Sequence, residues 1–88
     1  MNIKIDINTL YFEGDLTLKN INQSLINKVL SGNTEQITVI DINSIDSLDT
    51  AGAYTIITTL NKLNLLKKDI LNDSTKNKNL IEVVDKNY

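Results

Sequence analysis

The first part of the chain alternates between apolar and polar residues, which is typical of a half-buried strand. Ile3, Ile5 and Ile7 fall at every second position, with polar residues between them. A second strand is predicted at Leu10-Tyr11-Phe12, after a turn near Asn8-Thr9. The chain therefore begins with two strands in close succession.

The next segment changes to the helical period. Thr17 is the predicted N-cap of a first helix, and Gly32 is the predicted left-handed residue that ends it. The apolar residues of this segment form one stripe at helical spacing and consist of Leu18, Ile21, Leu25 and Val29.

The middle of the chain is an apolar run followed by a short polar crossing. Ile37 to Ile42 is rich in β-branched residues, as expected for a central strand that is covered on both faces. The crossing ends at Asp49-Thr50-Ala51-Gly52, and a second helix is predicted from there to about Asn64. The apolar positions of this helix are Ala53, Ile56, Ile57, Leu60 and Leu63.

The last part of the chain reads as a short strand at Lys68 to Leu71 and a third helix. Asp73-Ser74 can cap this helix, which carries Leu80, Ile81 and Val84 on its apolar side. The predicted fold is α/β: a single domain over residues 1–88, of order β-β-α-β-α-β-α. Its sheet is mixed, mostly parallel and four-stranded, with helices packed on it.

Composition excludes several classes of function. The net charge is −2 and the nine basic residues are all Lys, which argues against nucleic-acid binding. The absence of Cys and His removes thiol and imidazole chemistry and the usual zinc ligands. No secretion signal and no apolar stretch of membrane-spanning length is recognised, so we expect a cytoplasmic protein that does not insert into the membrane.

The residues around the start of the second helix have the chemistry of an exposed helix N-terminus. Asp49 can accept hydrogen bonds from the free N–H groups there, either as a cap alone or with a further role. Thr50 would then be the first helical residue, with its hydroxyl facing water. Ala51, Gly52 and Ala53 would form a patch almost without side chains, open to a partner or packed against the sheet.

Three neighbouring residues belong to the same prediction, each with a simpler alternative. Asn43 and Ser44, at the end of the central strand, should lie beside this patch, although turn formation explains them equally well. Tyr54 is an interface anchor if it faces outward and a half-buried tyrosine if it does not.

Two classes of enzyme have motifs similar to this segment, but the sequence excludes both. Asp-Thr-Ala-Gly occurs in the second switch of small GTPases, but the phosphate-binding loop that such proteins require is missing here. Aspartic proteases of the retroviral type carry Asp-Thr-Gly-Ala, but Ala51 interrupts that motif and the predicted helices contradict an all-β protease. We expect no catalytic residue, no cofactor and no metal.

Residues Asp41 to Ala53 resemble the signature of the STAS domain, the sulfate-transporter and anti-sigma-factor-antagonist fold. The resemblance consists of a strand ending in Asp, an apolar residue and a small polar pair, then an apolar–x–x–apolar crossing, then Asp, Thr, Ala and Gly. It covers about thirteen contiguous positions, and the predicted order of elements agrees over nearly the whole chain.

The resemblance implies a non-enzymatic module that binds proteins through the loop and helix after the signature. Asp-Thr-Ala-Gly-Ala looks most like the short form that works with Mla-type phospholipid ABC transporters, whose ATPase and permease subunits would be the partners. Such a protein would lie at the inner face of the membrane through its partner. The implied partner-binding residues are Asn43, Ser44, Asp49, Thr50, Ala51, Gly52, Ala53 and Tyr54.

Two alternatives remain open. The chain also resembles antagonists of anti-sigma factor kinases. Those proteins are phosphorylated on the hydroxyl residue after the Asp, and the resemblance implies that Thr50 is the corresponding residue here. The end at Lys86-Asn87-Tyr88, where the last helix should finish, is also compatible with a cytosolic piece of a larger permease. Neighbouring genes for a permease and ATPase, or for a sigma factor and kinase, would discriminate between the two main functions.

Overall fold

A computed structural model describes residues 1–87 of the chain. These residues form five strands, three α-helices and one short 3₁₀ helix at Lys67–Asp69. The strands are β1 (Asn2–Asp6), β2 (Thr9–Leu16), β3 (Val39–Asp41), β4 (Ile45–Leu48) and β5 (Ile70–Leu71), and the helices are α1 (Gln23–Leu30), α2 (Thr50–Lys62) and α3 (Thr75–Lys86).

The strands form one mixed sheet in which β2 is the central element. β1 pairs antiparallel with β2, and β3 and β4 both pair parallel with β2 on its other side. β5 extends the sheet by pairing parallel with β3. The α/β architecture and the mostly parallel sheet of the prediction are confirmed.

The predicted number of four strands is one too few, because the crossing before α2 is itself a strand. β4 pairs with the second half of β2, where Gly14 adopts a φ of 80° and the register shifts between Gly14 and Asp15. Gly14 therefore allows β2 to pair with β3 along its first half and with β4 along its second half. β4 was missed because its polar Asp46 and Ser47 follow each other, which breaks the alternation expected of a strand.

The first helix begins five residues later than predicted. Asn22, rather than Thr17, is its N-cap, and the Asn22 Oδ1 accepts from the Leu25 N–H at 3.0 Å. Residues 17–22 instead form a turn that leaves Leu18 exposed. The helix ends at Ser31 in right-handed geometry, so Gly32 is not the left-handed stop residue that was predicted.

The core lies on one face of the sheet. Leu10, Phe12 and Ile40 are fully buried there beneath α1 and α2, and Ile81 of α3 completes the core. The opposite face is polar or half-exposed, so β3 is not covered on both sides as predicted. Of the three alternating isoleucines in the first strand, only Ile3 is buried.

Helix α2 ends in a Schellman motif. The N–H of Leu65 donates to the carbonyl of Leu60 at 2.8 Å, and the N–H of Asn64 donates to the carbonyl of Asn61 at 3.2 Å. Asn64 has a φ of 57°, which Asn tolerates better than most residues. The predicted end near Asn64 is therefore confirmed, and the chain can turn back towards β5.

Candidate functional site

Asp49 caps α2, as predicted, and also fixes a distant loop. Its Oδ1 accepts from the Gly52 N–H at 2.8 Å, which satisfies one of the free donors of the helix. Its Oδ2 accepts from the backbone N–H of Leu18 at 2.9 Å. One carboxylate thus joins the start of α2 to the turn that follows β2.

The electrostatics of this position favour the ionised carboxylate. The N–H groups of Leu18 and Gly52 donate to Asp49 and hold its pKa below the ordinary value of 3.8, against a smaller opposing effect of desolvation. The positive end of the helix dipole acts in the same direction. A negative charge therefore lies permanently at this point of the surface at neutral pH.

Thr50 is exposed at the first position of α2, where the sequence predicts it. Among residues 1–87, the Thr50 hydroxyl takes part in no hydrogen bond, so the protein leaves it available to solvent. Ala51, next to it, is half-buried. These two residues form the accessible part of the helix start.

The expectation of an open patch is wrong for Gly52 and Ala53, which are both buried. A Cβ atom on Gly52 would come to within 1.9 Å of the Leu16 carbonyl oxygen and 2.7 Å of the Leu48 Cδ1 atom. Gly52 is therefore required for the close approach of α2 to the sheet. A bulky residue at this position would disturb the fold itself.

An apolar groove lies beside Thr50 and has a volume of about 780 Å³. The turn after β2 forms one wall, the start of α2 forms the floor, and α3 closes the other side. A smaller depression continues from it along α3 towards Val83. We call the two together the α2 groove; it is lined by Leu18, Ile21, Thr50, Tyr54, Val83 and Val84, among others.

Large apolar side chains around the α2 groove are exposed to solvent. The exposed fractions are 73% for Leu18, 51% for Tyr54 and 58% for Val83. Tyr54 therefore faces outward and is not the half-buried tyrosine of the alternative prediction. Exposed apolar residues that surround a groove are typical of a surface that binds another protein.

Asn43 and Ser44 do not line the α2 groove. They form the turn before β4, in which the Asn43 N–H donates to the Asp41 Oδ1 at 2.8 Å and the Ser44 carbonyl accepts from the Gly14 N–H. β4 then runs between this turn and Asp49, which separates them by roughly 13 Å of extended chain. Asn43 instead lines a more polar groove near the start of α3.

Sequence reasoning missed Leu18 and Val83. Leu18 was assigned to the buried stripe of α1, and the Asn22 cap within Asn22-Gln23-Ser24 was the signal that would have excluded it from the helix. Val83 lies off the apolar stripe of α3 that contains Ile81 and Val84, which is a weak sign of exposure. Neither signal indicates that the two residues surround the same groove.

The described residues contain neither a candidate metal cluster nor a membrane-spanning helix. Residues 1–87 hold no group of three or more His, Cys, Asp or Glu side chains placed to bind a metal ion. In the same part of the chain, every helix is too short or too polar to cross a bilayer.

The chain matches no protein-family model, no curated protein and no solved structure.

Proposed function

We propose that this protein is a non-enzymatic interaction module of the STAS type. It docks through the α2 groove on the cytosolic ATPase subunit of a Mla-type phospholipid ABC transporter and favours the assembly or activity of that complex. Its place in the cell is then the inner face of the membrane, where the partner's permease subunit holds the ATPase.

The observation that carries this proposal is the exposed apolar rim around Thr50. Leu18, Tyr54 and Val83 come from three separate segments and stay in contact with water, whereas the core residues are buried. An ordinary protein interface buries roughly 800 Å² on each partner. The protein exposes 5325 Å² in total, so an interface of that size around the α2 groove would use a modest part of its surface.

The choice of partner rests on the resemblance of Asp41 to Ala53 to the STAS signature. The site geometry supports it in two respects: Asp49 caps the helix after the signature, and Thr50 is exposed at its first position. The Asp-Thr-Ala-Gly-Ala form of the motif favours the transporter branch over the regulators of sigma factors.

The test is co-purification with the Mla-type ATPase subunit from the same genome. Leu18→Ser removes an exposed apolar wall of the α2 groove, and Thr50→Glu adds a charge beside the Asp49 carboxylate. We expect each variant to weaken binding by about tenfold or more, as changes at central interface residues do. Circular dichroism and thermal unfolding verify that the fold is intact.

Leu66→Ser is the matched control, because Leu66 is 61% exposed and does not line the α2 groove. It removes a similar amount of exposed apolar surface elsewhere and should leave the affinity unchanged. Equal binding by the native protein, Leu18→Ser and Thr50→Glu would refute docking through this groove.

A second candidate function is that of an antagonist of an anti-sigma factor kinase, switched by phosphorylation of Thr50. The exposure of Thr50 at the first turn of α2 favours it. A phosphate would add about −1.5 to −2 charges at the rim of the groove, next to Asp49, and would repel a bound partner. Incubation with the cognate kinase and ATP, followed by mass spectrometry with Thr50→Ala as the control, tests this. Lack of phosphate at Thr50 removes the switch.

A further inference from the structure

β1 lies at the edge of the sheet, so its outer side has no strand partner among the described residues. β1 pairs with β2 in an unbroken register from Asn2↔Glu13 to Asp6↔Thr9, without a bulge, and the chain contains no Pro. Proteins usually protect edge strands with bulges, prolines, very short strands or covering segments. β5 is only two residues long. β1 is five residues long and has no bulge and no proline; its charged residues, Lys4 and Asp6, oppose pairing with a strand of unmatched charge.

The hairpin between β1 and β2 determines which peptide groups face outward. The two strands are joined by a two-residue loop, so the flanking pair Asp6↔Thr9 exchanges hydrogen bonds. Bonded and non-bonded pairs alternate along an antiparallel ladder. The N–H and C=O groups of Ile3 and Ile5 therefore point away from β2 and can accept a further strand.

The side chains of β1 match a second copy of the same strand. Ile5 is paired with Leu10 across the hairpin and is 36% exposed. If two β1 strands pair antiparallel with Ile5 opposite Ile5, then each Lys4 lies opposite an Asp6, and two pairs of opposite charge form. Shifting the strands by two residues would place Lys4 opposite Lys4, which is unfavourable.

We infer that β1 is a dimerisation strand, which joins the sheets of two copies of this chain into one continuous sheet with Ile5 at the twofold axis. The central Ile5 pair is hydrogen-bonded in this register, and the Lys4–Asp6 pairs occupy the non-bonded positions, where side chains are closest. Exposed ion pairs contribute little affinity, so these charges select the register more than they strengthen the dimer.

Both charged residues are available for such pairing. Within residues 1–87 the Asp6 side chain makes no hydrogen bond and no ion pair. Lys4 lies on the solvent face of the sheet, with its Nζ 3.6 Å from the Glu13 carboxylate and 5.2 Å from the centre of the Tyr11 ring. Its side chain is 56% exposed, which leaves room for a second carboxylate.

Sedimentation velocity of the full chain over a range of concentrations tests the proposal. We expect the mass to rise from 9.9 kDa towards twice that value as the concentration increases to about 1 mM. Asp6→Lys should dimerise more weakly, because it places Lys4 opposite a lysine. The exchange Lys4→Asp with Asp6→Lys restores opposite charges and should restore the dimer.

Asp46→Lys on β4 is the control for charge alone and should dimerise like the native chain. Hydrogen exchange locates the contact: the Ile5 amide should become protected as the concentration rises, whereas the Lys4 amide is protected at all concentrations by its bond to β2. A native chain of 9.9 kDa at every concentration, or a dimer that Asp6→Lys does not weaken, would overturn the proposal. Circular dichroism confirms that each variant is folded.

Discussion

The backbone N–H of Leu18 donates to the Asp49 carboxylate over 2.9 Å, although the two residues are 31 positions apart. The other oxygen of the same carboxylate caps α2 through Gly52. Because one side chain makes both bonds, the turn that carries Leu18 is held at a fixed position relative to the start of α2. Exposed Leu18 and Thr50 therefore belong to one preformed surface.

Asp49→Asn should separate the two roles of this carboxylate. The amide keeps one oxygen, which can still accept from Gly52, but its NH₂ group cannot accept from Leu18. We expect the Leu18 amide to exchange roughly tenfold faster with solvent while Gly52 stays protected. Asp49→Ala should expose both amides. An unchanged Leu18 amide in Asp49→Asn would show that the bond does not hold the loop.

The contribution of Asp49 to stability depends on pH in a defined direction. Hydrogen bonds from Leu18 and Gly52 hold its folded-state pKa below the ordinary 3.8. The stabilisation is therefore complete above pH 3.8 and is lost as the pH falls through the lower folded-state pKa. Asp73 acts in the opposite direction, because burial raises its pKa.

Comparing the native chain with Asp49→Ala isolates this effect, since Asp73 is common to both. We expect the difference in unfolding free energy to be constant near neutral pH and to shrink below pH 3.8. Urea unfolding at a series of pH values measures it. A difference that stays constant down to strongly acidic pH would contradict the assigned hydrogen bonds.

Gly52→Ala should destabilise the fold by about 3 kcal/mol or more, because the added Cβ meets the Leu16 carbonyl oxygen at 1.9 Å. Gly32→Ala is the matched control. Its Cβ would meet only the Val29 carbonyl oxygen, at an ordinary 3.6 Å, and its φ is not positive. This change should be neutral or stabilise by up to about 1 kcal/mol. Thermal and urea unfolding compare the two variants, and equal effects would disprove the close approach at Gly52.

Ile7→Gly should stabilise the protein by about 1 kcal/mol. Ile7 is 83% exposed in the hairpin loop and has a φ of 55°, which is unfavourable for a β-branched residue and easy for glycine. Ile5→Gly, two residues earlier in β1, should have the opposite effect because glycine weakens a strand. Urea midpoints of both variants test this; a loss of stability in Ile7→Gly would mean that the side chain makes contacts outweighing the backbone cost.

The sequence by itself determined features that depend on near neighbours in the chain. The cap at Asp49, the cap at Ser74 and the end of α2 near Asn64 each rest on hydrogen bonds within a few residues, so local pattern is sufficient. The α/β class followed in the same way from the periods of the apolar residues. Thr50 could be placed at an exposed helix start for the same reason.

The tertiary structure decided what depends on contacts between distant segments. β4 exists because β2 offers it a partner beyond Gly14, and Gly52 is buried because Leu16 and Leu48 lie against it. The α2 groove joins Leu18 to Tyr54, residues that no local period connects. Burial and exposure of this kind are set by the packing of the whole chain. Because the hydrophobic effect is non-directional, the neighbours of a residue in the sequence do not determine which distant residues it packs against.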